Sequence, residues 1–183
     1  MSYLKFLPAE TRLLDVFKAH PGPARPLLEL HEQVMRADSP FTAGERELIA
    51  AYVSGVNSCD YCHGIHTITA EAFGVPEGTL AAAVRDLESA PVDEKLKPVL
   101  AYVGKLTRTP SRITEADAEA VYAAGWSEDA LHDAVLVCAL FNFMNRMVEG
   151  VGLRADEAYA TESGQRLHDG GYTGLAKFLT DEG

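Results

Sequence analysis

The sequence has 183 residues, 47% of them hydrophobic, and a formal net charge of −11. Length and apolar content suit one folded domain spanning 1–183 with its own core, and disorder is not the default reading. The acidic balance argues against a nucleic-acid partner or an anionic membrane surface, since both call for clustered Lys and Arg. No hydrophobic run reaches the roughly 18–20 residues of a membrane span. The start of the chain lacks the apolar stretch and cleavage site of a signal peptide, so a cytoplasmic location is the expectation.

In chain order the pattern reads helix after helix, with no alternating β-branched run long enough for a sheet. Pro21-Gly22-Pro23 punctuates the N-terminal region, and a helix is predicted from about Ala24 to Ala37. Thr42-Ala43-Gly44-Glu45 is a capping-box pattern. It opens a helix that turns Leu48, Ile49, Tyr52, Val53 and Val56 toward the core. Asn57-Ser58 breaks that helix, and Ser58 is read as the N-cap of the next, with Cys59 as its first residue and Phe73 near its end. Gly74 then acts as a stop, and Pro76 starts a short helix.

The helical segment 94–107 contains Pro98, which places its true start near that proline or bends it there. Thr114 caps a helix ending at Gly125. Ser127 caps a longer one, apolar nearly all round, that stops near Gly150 and reads as a central or interface helix. From about Arg154 the chain is more polar, and His168-Asp169-Gly170-Gly171-Tyr172 reads as loop. Two stretches, 42–73 and 114–149, share a helix-into-capped-helix pattern, which hints at a duplicated hairpin.

There are three cysteines, Cys59, Cys62 and Cys138. An odd, small number in a reducing compartment does not describe a disulfide framework; a close pair there points to redox chemistry or metal binding. Cys59 and Cys62 have C-x-x-C spacing. On a helix, i and i+3 share a face, at a separation compatible with a disulfide. Only a thiolate attacks, and helix N-termini and imidazoles both favour that form. His66 stands one turn beyond Cys62 and His63 one turn beyond Cys59, so the four side chains fall within about 100° of the helix circumference. Glu47 precedes them on the neighbouring helix. A carboxylate there could orient His66 or relay a proton, although spacing alone leaves that contact open. Cys138, among Val135, Val137, Leu140 and Phe141, reads as core. His20, His31, His132 and His168 show no partner pattern beyond surface or packing roles.

Glu47, twelve residues on to Cys59, then C-x-x-C-x-x-x-H ending at His66 resembles the alkylhydroperoxidase D-like, peroxidase-related branch of the carboxymuconolactone decarboxylase superfamily. Glu45-Arg46-Glu47-Leu48-Ile49 and Asn142-Phe143-Met144-Asn145-Arg146 are similar to that branch as well. The resemblance covers a core of about 27–153 and leaves a polar C-terminal extension, 154–183. It implies an all-α bundle that assembles into trimers or hexamers. It also implies a peroxidase acting on alkyl hydroperoxides, with Cys62 as the attacking thiol, Cys59 as the resolving thiol, and His66 and Glu47 moving the proton. A dithiol donor, in the family a dihydrolipoyl protein, resets the disulfide; no cofactor or metal is implied. One departure stands out: the best-studied members carry a His just before the second Cys, where this chain has Tyr61, on a face read as pointing away from the dithiol. Asn145-Arg146 reads as bonding between helices or subunits.

Two other readings remain open from the sequence. A lactone decarboxylase, from the other branch of the superfamily, has no use for an intact C-x-x-C. A non-catalytic redox sensor or zinc module could use Cys59, Cys62, His63 and His66, but four ligands from one helical face suit a tetrahedron poorly.

Overall fold

The computed structural model of the protein describes residues 2–8 and 10–179. The expected all-α class holds: the described residues contain helices and no strand. In chain order the α-helices are α1 (Leu13–Ala19), α2 (Pro21–Arg36), α3 (Ala43–Val56), α4 (Asp60–Ala72), α5 (Thr79–Arg85), α6 (Lys97–Arg108), α7 (Glu115–Ala123), α8 (Glu128–Gly150), α9 (Glu157–Gly170) and α10 (Thr173–Ala176).

The centre of the molecule is α3. Its capping box forms as the sequence predicts: Thr42 accepts from the Glu45 N–H while Glu45 accepts from the Thr42 N–H. From Gly44 to Ser54 all but Glu45 are buried, because α4, α5, α6 and α8 pack around α3. The longest helix, α8, is capped by Ser127 with Glu128 and Asp129 in its first turn, where carboxylates suit the dipole. It buries Val137, Cys138, Phe141, Met144 and Val148 but leaves Leu136 and Phe143 exposed, so its apolar surface is only partly covered. Cys138 is fully buried, its Sγ 3.3 Å from Thr107 Oγ1, as its apolar neighbours suggest. Of the two similar hairpins, α3 and α4 pack closely, whereas α7 lies more on α6 than on α8.

Several boundaries differ from the sequence reading. Helix α2 begins at Pro21, three residues early, because a proline in the first turn removes only an N–H that has no helical partner. Helix α4 begins at Asp60 with Cys59 itself as N-cap, and Ser58 takes a left-handed φ of 56° rather than capping. The short helix after Gly74 starts at Thr79, not Pro76, with Gly78 at its N-cap. As expected, α6 starts next to Pro98, and Gly74 closes α4 with φ +97°.

The largest difference lies after Arg154. His168, Asp169 and Gly170 are helical, not loop, and α9 packs along α4. The close approach depends on Gly164, where a Cβ would stand 2.6 Å from Ile68 Cγ2 and 3.0 Å from the Ile65 carbonyl oxygen. The chain then turns back and brings Tyr172 into the interior. No helix among the described residues is long and apolar enough to cross a membrane.

Candidate active site

The break between α3 and α4 is held by a polar network. Asn57, the C-cap of α3, donates to Asn142 Oδ1 (3.1 Å) and Asn145 Oδ1 (2.9 Å) on α8. Asn145 in turn donates to Ser54 Oγ at 3.0 Å. This bonding between helices is the part of the Asn145 reading that the fold bears out. It fixes the start of α4, where the Cys59 N–H donates to the Ser54 carbonyl and the Cys59 carbonyl accepts the first helical bond, from His63.

Both thiols are free and buried at that start. They interact with each other. Donation from Cys62 holds the Cys59 thiol below its ordinary range, against the opposing effect of burial. The same bond pushes Cys62 well above its ordinary range, and burial adds to it, while the Asn145 amide pulls the other way. A single negative charge on the pair therefore rests first on Cys59, at the helix N-terminus, where unpaired N–H groups favour an anion. Access runs opposite. Cys62 lines a pocket and Cys59 does not.

The pocket is a narrow cavity of about 80 Å³ between α1, α2, α4, α8 and α9. Its wall is largely apolar, with Leu13, Phe17, Leu28, Ile65, Met144 and Leu175. Its polar groups are few: Cys62, His66, His31, Tyr61, Tyr159, Ser163, Arg166 and Tyr172. His66 stands edge-on to Phe141, ring centroids 4.5 Å apart, and its Nδ1 meets Glu47 Oε2 at 2.6 Å.

Glu47 is fully buried. A carboxylate there needs partners on both oxygens, and it has them. Oε1 accepts from Arg36 Nη2 at 2.6 Å and from the Tyr172 hydroxyl at 3.2 Å. Burial alone would raise the Glu47 carboxyl, but the His66 ring and then the Arg36 guanidinium outweigh it and hold the group below the usual range. Arg36 is itself placed between the rings of Phe73 and Tyr172, 5.1 Å from each centroid. With Glu47 ionised, His66 Nδ1 carries the hydrogen and Nε2 is left as the reactive nitrogen. Nε2 makes no hydrogen bond among the described residues, and no bond links His66 to Cys62, although both face the pocket.

Of the four residues singled out in the sequence, Glu47 and His66 are joined directly. Cys59 and Cys62 form one coupled pair, and Cys62 shares the pocket with His66. His63 is not with them: its Nδ1 bonds the Ala51 carbonyl at 2.8 Å and the ring packs on Gly55. Tyr61 is closer than its helical position suggested. It lines the pocket, its hydroxyl 3.0 Å from the Tyr159 hydroxyl, and burial beside Tyr159 pushes it up. Arg36, Tyr172, Phe141 and His31 went unnoticed as site residues. The need of a buried Glu47 for a cation was foreseeable in kind, but nothing local singled out Arg36 or, from 125 residues away, Tyr172.

The all-helical fold, the C-x-x-C at a helix start and the buried Glu–His pair beside it are similar to what the resemblance to the alkylhydroperoxidase D-like branch implied, and a family model and solved structures match the chain. The model of the carboxymuconolactone decarboxylase family matches residues 21–103, which span Arg36, Glu47, both site cysteines and His66. Among solved structures, the chain is similar to an uncharacterized peroxidase-related protein from Silicibacter sp. TM1040, with TM-score 0.75, 24% identity and coverage of 81% of this chain and 78% of that one. It is also similar to an alkylhydroperoxidase AhpD core, an uncharacterized peroxidase-related protein from Ralstonia eutropha JMP134, with TM-score 0.75, 23% identity and coverage of 82% and 78%. A protein of unknown function from Agrobacterium tumefaciens follows, with TM-score 0.65, 18% identity and coverage of 78% and 97%. At these identities the likeness is one of fold. No curated protein sequence matches the chain.

Proposed function

We propose that the chain is a thiol-dependent peroxidase that reduces alkyl hydroperoxides through a Cys59/Cys62 dithiol–disulfide cycle. The observation that carries this reading is that Cys62 opens into the same apolar pocket as His66, whose far nitrogen is held by the buried Glu47.

The pair first gives up one proton, which His66 Nε2 takes; the remaining proton passes from Cys62 to Cys59, the sulfur to which Cys62 already donates, and Cys62 becomes the thiolate. The thiolate attacks the terminal oxygen of the hydroperoxide. An S–O bond forms as the O–O bond breaks, and the sulfur gives up two electrons. The departing alkoxide takes the dithiol's proton back from His66 Nε2 and leaves as the alcohol; Glu47 supports the charged ring until then, and the ring returns to its neutral form. Cys59 next attacks the Cys62 sulfenic acid. The S–S bond forms, and the Cys59 proton leaves with the hydroxyl as water. A dithiol donor such as a dihydrolipoyl group then exchanges with the disulfide, is itself oxidised, and returns two protons and two electrons to Cys59 and Cys62.

The test is mass mapping after stoichiometric tert-butyl hydroperoxide. The expected product joins Cys59 to Cys62 and leaves Cys138 free. Cys62→Ser is expected to lose peroxide consumption by at least about 100-fold, because no thiolate then stands in the pocket. Undiminished turnover in that variant would falsify the reading.

A further inference from the structure

His31 is a buried histidine that the mechanism above does not use. It stands on α2, 3% exposed, and lines the pocket with Cys62 and His66. Its Nδ1 donates to the Leu27 carbonyl at 2.7 Å, one turn back on its own helix. That bond settles the tautomer and leaves Nε2 with a lone pair. Nε2 has no hydrogen-bond partner among the described residues. The ring is clamped, edge-on to Phe141 at 6.1 Å and against Tyr172 at 5.1 Å between centroids. Phe141 is also the ring on which His66 packs, so both imidazoles stand against one aromatic side chain of the pocket wall. An unpartnered acceptor held rigidly in an apolar cavity suits a ligand that brings a hydroxyl hydrogen.

Resting on the peroxidase reading, we propose that His31 Nε2 is a catalytic acceptor that receives a hydrogen bond from the terminal O–H of the hydroperoxide and so aims that oxygen at Cys62. The two histidines then divide the substrate. His31 binds the hydrogen of the oxygen under attack, and His66 serves the inner oxygen that leaves. No proton moves at His31: the O–H it holds becomes the O–H of the Cys62 sulfenic acid, while the O–O electrons go to the alkoxide that His66 protonates. An imidazolium at His31 could not accept this bond. Burial, reinforced by the nearby His66 despite the Leu27 carbonyl, lowers the ring to about 4, so it stays an acceptor at neutral pH.

The test compares two reactions of Cys62, oxidation by tert-butyl hydroperoxide and alkylation by iodoacetamide, in wild type, His31→Leu and His31→Gln. The leucine variant is expected to slow peroxide oxidation about tenfold, the scale of one lost hydrogen bond. Alkylation, which needs the thiolate but no acceptor, is expected to stay within about twofold. His31→Gln supplies an amide oxygen and is expected to recover most of the peroxide rate. Wild-type oxidation in His31→Leu, or equal slowing of both reactions, overturns the role of His31. A wild-type protein inert to the peroxide overturns the peroxidase reading and this one with it. If His31→Leu does not fold, the Cys62→Ser protein with 15N-labelled histidine decides: tert-butyl hydroperoxide is expected to shift the His31 Nε2 signal, and an unmoved signal overturns the proposal.

Discussion

Glu47 shows how far one buried side chain depends on its partners. Both oxygens are bonded, to His66, Arg36 and Tyr172. Glu47→Gln keeps the shape but leaves Arg36 facing a neutral group in the interior, so a loss of about 3 kcal/mol in urea unfolding is expected. Peroxide turnover should fall as well, because the charged form of His66 loses its counter-ion. His31 has its own signature in stability. Its folded value, about 4, lies below the ordinary 6.5, so the unfolded chain binds the extra proton first as pH falls. The contribution is fully present above pH 6.5 and is lost progressively toward pH 4, to a total of about 3 kcal/mol. Unfolding measured at pH 7, 5.5 and 4.5 should show that slope in wild type and a flatter one in His31→Gln. A slope of equal size in both proteins would assign the pH dependence to other groups.

At the scale of elements, α3 and α9 position the site in different ways. Helix α3 carries Glu47 on its second turn, just past the Thr42–Glu45 box. Thr42→Ala removes the side chain that accepts the Glu45 N–H and is expected to cost about 1 kcal/mol by thermal or urea unfolding. Helix α9 contributes through proximity, because Gly164 lets it lie against α4. Gly164→Ala puts a methyl into Ile68 and the Ile65 carbonyl, and the gain in helix propensity is smaller than the overpacking it causes. A net loss of about 1–3 kcal/mol is expected. Separation of α9 from α4 also loosens the pocket wall formed by Ser163 and Leu167, so the affinity for bulky hydroperoxides should drop together with stability.

Among the described residues an apolar face between α2 and α8 stays open. Leu30, Phe143 and Met147 border a shallow groove between α2 and α8, and Leu30 and Phe143 are about half exposed. Surfaces of this kind mark association sites more often than free solvent faces. We propose that a second copy of this chain covers it, in line with the trimers or hexamers implied by the family resemblance. Sedimentation velocity is expected to show an oligomer that Phe143→Glu dissociates toward monomer; a wild-type monomer at every concentration would remove the idea. The net charge of −11 adds repulsion between copies, so association should strengthen as salt screens it.

Much of the protein was legible in its residues because local rules govern those parts. Helical periodicity, the Thr42–Glu45 box, the Ser127 cap and the Gly74 stop specify the all-α class and the α3–α4 break, since each depends on neighbours within a turn or two. C-x-x-C spacing and the turn from Cys62 to His66 likewise follow from 3.6-residue geometry. Tertiary structure decided what lies across the pocket. His31 looked like packing and His63 like a site neighbour, yet His31 faces the cavity while His63 bonds the α3 backbone. Tyr172 sat in a stretch read as loop and is a partner of Glu47. These outcomes depend on where α9 and α2 come to rest, which side-chain volume and burial set over long range and no local pattern encodes. The dithiol, and the helix-start position that favours charge on Cys59, were therefore visible in the sequence, whereas the opening of Cys62 rather than Cys59 into the pocket was set by the folded surroundings.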